Sequence, residues 1–160
     1  MRILVLSDTH GHIDECRQIM ERIDEIDMII HLGDYSHDVN DIKEIFNVDT
    51  INVRGNCDVL DRKTKDEMIV TLEGKKLFLT HGHKYGVKRN LNGIFYRAKE
   101  LEADIALFGH SHNPISISYN NTLLLNPGST SMPRGGSEKS YGIIEIKRNI
   151  VTPVIYTIRA

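Results

Sequence analysis

Hydrophobic positions in the first third of the chain alternate between short unbroken runs and helical stripes. Ile3–Leu6 is an apolar run of strand length, and Ile13, Cys16, Ile19, Met20 and Ile23 then recur on one helical face. Asp27–His31 reads as a second strand. A helix from about Asp38 sets Val39, Ile42, Ile45 and Phe46 on one side, and Thr50–Val53 reads as a third strand. Strand, helix, strand, helix, strand predicts a parallel sheet with crossover helices.

Further along, the rhythm becomes one of hairpins around a single helix. Glu67–Leu72 and Lys75–Thr80 flank a turn at Glu73-Gly74. Leu91, Ile94, Phe95, Ala98 and Leu101 keep helical spacing, and Ile105–Phe108 follows as a strand. Ile115–Tyr119 pairs with Thr122–Leu125 over Asn120-Asn121, and Tyr141–Ile146 with Ile150–Ile158 over Arg148-Asn149. The aperiodic stretch Pro133–Ser137 reads as a mobile loop. The expected class is α/β, a β sandwich of two mixed sheets flanked by helices, in one domain over residues 1–160.

Composition narrows the function rather than the fold. A chain of 160 residues with 40% hydrophobic and 26% charged residues can bury a core without disulfides or a structural metal. Net charge is −2, from 20 basic and 22 acidic residues, so no general field favours nucleic acid or an anionic membrane. No apolar run approaches the roughly 18 residues of a membrane helix. Met1 leads directly into Arg2-Ile3-Leu4-Val5-Leu6, which reads as a buried strand and not as a signal peptide. Cys16 and Cys57 have no motif spacing and read as reduced thiols in a cytoplasmic protein.

Histidine changes the picture. Six of the eight fall in three His-x-His pairs: His10/His12, His81/His83 and His110/His112. Each pair follows a predicted strand, as do Gly33-Asp34 and Gly55-Asn56-Cys57-Asp58. Ligand sites of open α/β sheets lie beyond the carboxyl ends of the strands, so five such clusters are expected on one rim. Imidazoles and carboxylates without thiolate suit Mn, Fe, Co, Ni or Zn. The candidates exceed what one ion needs. Two ions roughly 3.5–4 Å apart can clamp the attacking and leaving oxygens of a phosphoryl transfer. Two divalent ions against two aspartates and a shared hydroxide leave about +1 to meet a phosphate, and the neutral Asn56 preserves that balance.

From Asp8-x-His10 through Gly33-Asp34, Gly55-Asn56, His81-Gly82-His83 and Gly109-His110-x-His112 to Asn126-Pro127-Gly128-Ser129, the chain resembles the calcineurin-like metallophosphoesterases. Its small size resembles their short bacterial and archaeal phosphodiesterases. The resemblance implies a two-layer sandwich and a dinuclear centre of divalent transition-metal ions, manganese favoured. Asp8, His10, Asp34 and His112 would hold one ion; Asp34 as bridge, Asn56, His81 and His110 would hold the other. His81 and Asn56 would also serve catalysis; His12 is a candidate for orienting phosphate, with a surface or loop role as the alternative. Much of the family has His after the Gly-Asn, on the leaving-group side; here it is Cys57, a poor substitute for imidazolium. Short phosphodiesterases of this kind share a Cys there.

The expected activity is in-line hydrolysis of a phosphodiester, a small molecule or nucleotide, by a metal-bound hydroxide. A phosphomonoesterase with the same ions is the nearest alternative. A retromer-subunit-like scaffold on the same fold is another, disfavoured by the complete ligand set. His31 is expected to be buried behind Asp34, His37 to start a helix, and Arg54 and Asp58 to fix the Asn56 loop. Tyr35 and Tyr85 are candidates for stacking on a base, with loop packing the plainer role. Homo-oligomerisation is left open.

Overall fold

Strand β1 (Arg2–Leu6) divides its side chains by parity: Ile3 and Val5 enter one buried cluster, Leu4 and Leu6 another. That division runs through the whole molecule, because successive residues of a strand face opposite sides of its sheet. The structure, a computed structural model, describes residues 1–159. β1 pairs in parallel with β2 (Met28–His31), and β2 with β3 (Asp49–Asn52). On its other side β1 pairs antiparallel with β9 (Ser140–Lys147), which pairs antiparallel with β10 (Ile150–Thr157).

The second sheet has the order β4 (Glu67–Leu72), β5 (Lys75–Thr80), β6 (Ile105–Leu107), β8 (Thr122–Asn126), β7 (Ile115–Tyr119). β5, β6 and β8 are parallel, and β4 and β7 pair antiparallel at the two edges. Both sheets are therefore mixed. Ile3, Val5, Ile30, Leu77, Leu79, Leu107, Leu125 and Ile144 fill the space between them. Each such residue contributes about 1.5–3 kcal/mol relative to exposure. The outer faces are covered by helices. α1 (Asp14–Met20) and α2 (Asp38–Phe46) lay Cys16, Ile19 and Ile42 on Leu4, Leu6 and Ile29. α3 (Asn92–Glu100) lays Ile94 and Ala98 on Phe78, Ala106 and Phe108.

The first helix is shorter than its apolar stripe predicts. It ends at Met20, which is 45% exposed, and Ile23 packs from beyond its end. The chain must turn there to bring Asp27 N–H onto the Arg2 carbonyl at 2.8 Å and start β2 beside β1. α2 stops at Asn47, whose N–H still makes the helical bond to the Lys43 carbonyl at 2.8 Å while its left-handed backbone turns the chain out of the helix. Strand ends shift by a residue or two from their predicted bounds, Thr50–Val53 becoming Asp49–Asn52. Both cysteines are free, Cys16 buried and Cys57 exposed. Among the described residues no helix is long and apolar enough to cross a membrane.

Candidate metal centre

The loops that follow β1, β2, β5 and β6 meet where the two sheets adjoin. Asp8, His10, Asp34 and His112 each bring one ligand-type atom into a group whose members all lie within 4.8 Å of one another. His112 Nε2 is 3.1 Å from Asp8 Oδ1. His10 Nε2 is 3.7 Å from Asp34 Oδ2, and His81 Nε2 approaches the same oxygen at 3.4 Å. One oxygen of Asp34 thus lies within 4 Å of two imidazoles. The ring of His110 stands 5.1 Å from that of His81.

The ring nitrogens are fixed by backbone carbonyls. His81 Nδ1 donates to Leu32 at 2.8 Å and His112 Nδ1 to Met132 at 2.6 Å. A carbonyl only accepts, so the ring proton belongs on Nδ1 and a lone pair on Nε2 points into the group. Asp8 is divided in the same way. Its Oδ2 accepts from Ser7 Oγ at 2.6 Å and His110 N–H at 3.1 Å, while its Oδ1 is buried with no hydrogen-bond partner. His81 Nε2 is likewise buried and unpartnered. Two buried acceptors facing each other at 3.9 Å would cost several kcal/mol unless a cation satisfies both. The donor set fits a divalent transition metal.

Electrostatics point the same way. Burial pushes the Asp8 carboxyl up, but His112 and His81 outweigh it and hold it below its ordinary value. Asp34, opposed by burial and favoured by His81, is also held low. Burial works against charge on His81 and His112, yet Asp34 and Asp8 raise His81, and Asp8 with the Met132 carbonyl raises His112. By contrast, burial and the neighbouring His81 bring His110 down to about 4. This pocket draws positive charge.

Holding these side chains demands unusual backbone. Asp8, His10, Asp34, His110 and His112 all have φ between 50° and 67°, in the left-handed region. Such conformations cost of order 1–3 kcal/mol each and persist where surrounding contacts impose them. Two of those contacts come from Asp38, which sequence reasoning passed over, and another from Ser129, the end of the Asn126–Ser129 segment. Asp38 accepts Thr9 Oγ at 2.6 Å and Gly11 N–H at 2.8 Å, and Ser129 Oγ donates to the Asp8 carbonyl at 2.7 Å. Asp38 opens α2, where an acid reads as an ordinary helix start. Glycine matters at two close approaches: a Cβ at Gly55 would fall on Asp34 Oδ1, and one at Gly109 on Ser7 Oγ.

The remaining candidates divide. Asn56 and Cys57 lie exposed at the rim, the Cys57 N–H donating to Asp34 Oδ1 at 2.9 Å. His12 is exposed in the turn after His10, its amide bonded to the Thr9 carbonyl. The His83 ring lies 5.5 Å from that of His81, tilted to it, with Nδ1 buried and unpartnered. As expected, His31 is buried, with Nε2 3.1 Å from Thr9 Oγ. Tyr85 takes the plainer role: its hydroxyl donates to Glu67 and its ring packs edge-on against Phe78.

A profile of the calcineurin-like phosphoesterase superfamily domain matches residues 1–149. The probable metallophosphoesterase YsnB of Bacillus subtilis is 37% identical over 98% of this chain and 90% of its own. The phosphodiesterase YfcE of Escherichia coli is 29% identical over 91% of this chain and 88% of its own. A crystal structure from Streptococcus pneumoniae, described as a predicted phosphoesterase, superposes with a TM-score of 0.80 at 30% identity, covering 98% of this chain and 88% of that one.

Proposed function

The chain belongs to the calcineurin-like phosphoesterase superfamily and is a metal-dependent phosphoesterase, and we propose that it hydrolyses phosphodiesters with two divalent ions, manganese favoured. Asp8, His10, Asp34 and His112 would hold one ion, and Asp34, Asn56, His81 and His110 the other. The observation that carries this reading is the pair of buried, unpartnered acceptors, Asp8 Oδ1 and His81 Nε2. Bound, the ions would supply positive charge to the phosphoryl oxygens and a nucleophile at neutral pH.

The chain's own residues have separate tasks. Leu32 and Met132 keep the Nε2 lone pairs of His81 and His112 free for coordination. Ser7 and the His110 amide occupy one oxygen of Asp8 and leave the other to the centre. The Cys57 amide occupies Asp34 Oδ1 and leaves Oδ2, the oxygen nearest His10 and His81, to the centre. Asn56 and His12, exposed at the rim, would meet the phosphate. Phosphodiester specificity draws support from YfcE, named a phosphodiesterase, and from the missing imidazole at Cys57.

The test is metal analysis paired with turnover of bis(p-nitrophenyl) phosphate. The wild-type protein should take up two manganese ions per chain and hydrolyse the diester. Asp8→Asn should lose both properties while keeping its fold by circular dichroism. Full diester turnover by the chelator-treated protein would overturn the reading.

A further inference from the structure

Beside the metal centre lies a cleft of about 620 Å³, bounded by the segment from Tyr35 to Asn40, by Asn52 at the end of β3, and by the loop from Cys57 to Thr64. Its volume falls within the roughly 300–1,000 Å³ of small-molecule sites. One end abuts the centre. Cys57 lines the cleft and holds Asp34 Oδ1 through its amide, and the Tyr35 ring lies 5.2 Å from that of His10.

Tyr35 is held there at a cost. Its φ is 69°, an outlier for a bulky side chain, and the buried Asp58 carboxylate imposes it by accepting the N–H groups on either side, those of Asp34 and Ser36. The result is an aromatic ring, 36% exposed, set between a candidate metal ligand and the cleft, with the His37 ring 5.1 Å beyond it.

The charge of the walls limits what can occupy them. Asp58 is consumed by three backbone N–H groups, and Asp61 by Ser36 Oγ and the amides of Lys63 and Thr64. Both carboxylates are turned onto these donors within the wall, so neither is presented to the guest as a direct ion-pair partner. Lys63 is the one lysine or arginine of the described lining, with the His37 imidazole as its other basic group, too little for a second phosphate. Val59 and Leu60 form an apolar lip, 76% and 94% exposed, while Asn40 and Asn52 bring carboxamides that can both donate and accept. A flat, uncharged group with hydrogen-bonding edges matches that lining.

We propose that this cleft binds the nucleoside arm of a phosphodiester, its base stacked on Tyr35 and its phosphate at the metal centre. The inference rests on the phosphodiesterase reading and adds a substrate class to it. Three diesters with one leaving group test it: the thymidine, methyl and octyl esters of p-nitrophenyl phosphate.

With the manganese-loaded protein, kcat/KM for the thymidine ester should exceed that for the methyl ester by roughly five- to hundred-fold, the range for a base on an aromatic ring. Tyr35→Leu removes the platform, and Asn40→Trp fills the cleft from an exposed position on α2; each should bring that ratio toward one. Should Tyr35→Leu fail to fold, the Asn40→Trp ratio decides. Turnover of the methyl ester with no thymidine preference would overturn this inference and leave the phosphodiesterase reading standing. An equal excess for the octyl ester, lost in the same variants, would overturn it in favour of an aliphatic guest. No turnover of any ester would remove both.

Discussion

The carboxylate of Asp58 accepts the backbone N–H of Asp34 at 3.0 Å and, through the same oxygen, that of Gly55 at 2.7 Å. One buried acid thereby ties the loop after β2 to the loop after β3. Its other oxygen takes Ser36 N–H at 2.7 Å. Asp58→Ala leaves three donors without their acceptor, and hydrogen bonds to a charged group are worth about 1.5–3 kcal/mol each. A loss of about 3 kcal/mol is expected, which lowers Tm by about 6–12 °C in a chain of this size. Manganese affinity should fall by roughly 10–100-fold because Asp34 loses its support. Calorimetry of the chelated protein and a metal titration read the two effects separately. Unchanged affinity in a destabilised variant would show that the Asp34 loop is positioned by other contacts.

Asp34 is the only side chain assigned to both ions. Its Oδ2 lies 3.7 Å from His10 Nε2 and 3.4 Å from His81 Nε2, one imidazole from each proposed ligand set. Asp34→Ala should therefore abolish activity and most dinuclear occupancy, whereas His112→Ala should weaken mainly one ion. Both variants should retain the fold, since the sandwich core is made of other residues. Two tightly held ions per chain in Asp34→Ala, by elemental analysis, would reject the bridge.

The arrangement of strands and the cluster of polar strand ends were legible in the sequence because each depends on local pattern. The alternation in Ile3–Leu6 tells which residues face each layer, and His-x-His or Gly-Asp after an apolar run marks a loop at a strand's carboxyl end. What could not be read is how those loops are held. The left-handed φ values of Asp8, His10, Asp34, His110 and His112 follow from hydrogen bonds between residues far apart in sequence, such as Ser129 to Asp8. Asp38 looked like an ordinary first-turn acid because nothing local says that it reaches Thr9 and Gly11. The length of α1 was misjudged for a related reason. The pairing of Asp27 with Arg2, not helix propensity, ends it.

Stability in acid should carry the signature of Asp66. Hydrogen bonding to Arg54, reinforced by Lys84 at 2.8 Å, lowers its carboxyl to about 2. A folded-state value below the unfolded one, about 3.9, means that the stabilisation is present above pH ~4 and is lost as pH falls toward about 2. Wild type should therefore be more stable than Asp66→Asn at neutral pH, by a small margin because the group is largely solvated. The margin should vanish by about pH 2 and shrink in high salt. Thermal melts of both chelated proteins across that range measure it. A margin that grows as the pH falls would mean the sign is wrong and Asp66 is not stabilised by its partners.

On the proposed reading the leaving group would meet Cys57, where imidazole would serve better. Burial and the Asp34 carboxylate push this thiol up to about 11, so at neutral pH it is protonated and offers only a weak S–H donor. Expelling an alkoxide needs a proton or a positive partner in the transition state, and general acid help is worth about 10²–10⁴-fold. Monoester transfer is loose, with the leaving bond largely broken early, and leans hardest on that side. A diester carries less charge and passes through a tighter transition state, so it leans more on the nucleophile, which the metal centre provides. The protein should thus prefer diesters and show rates that rise steeply as the phenol pKa of the leaving group falls. Cys57→His should recover monoester activity by ten-fold or more and flatten that dependence, with metal content unchanged because the thiol is not among the assigned ligands. Rates for matched aryl monoesters and diesters over a series of phenols, in both proteins, provide the measurement. A wild-type preference for alkyl monoesters with a flat leaving-group dependence would place the acid on another residue, and the exposed His12 would be the first to replace.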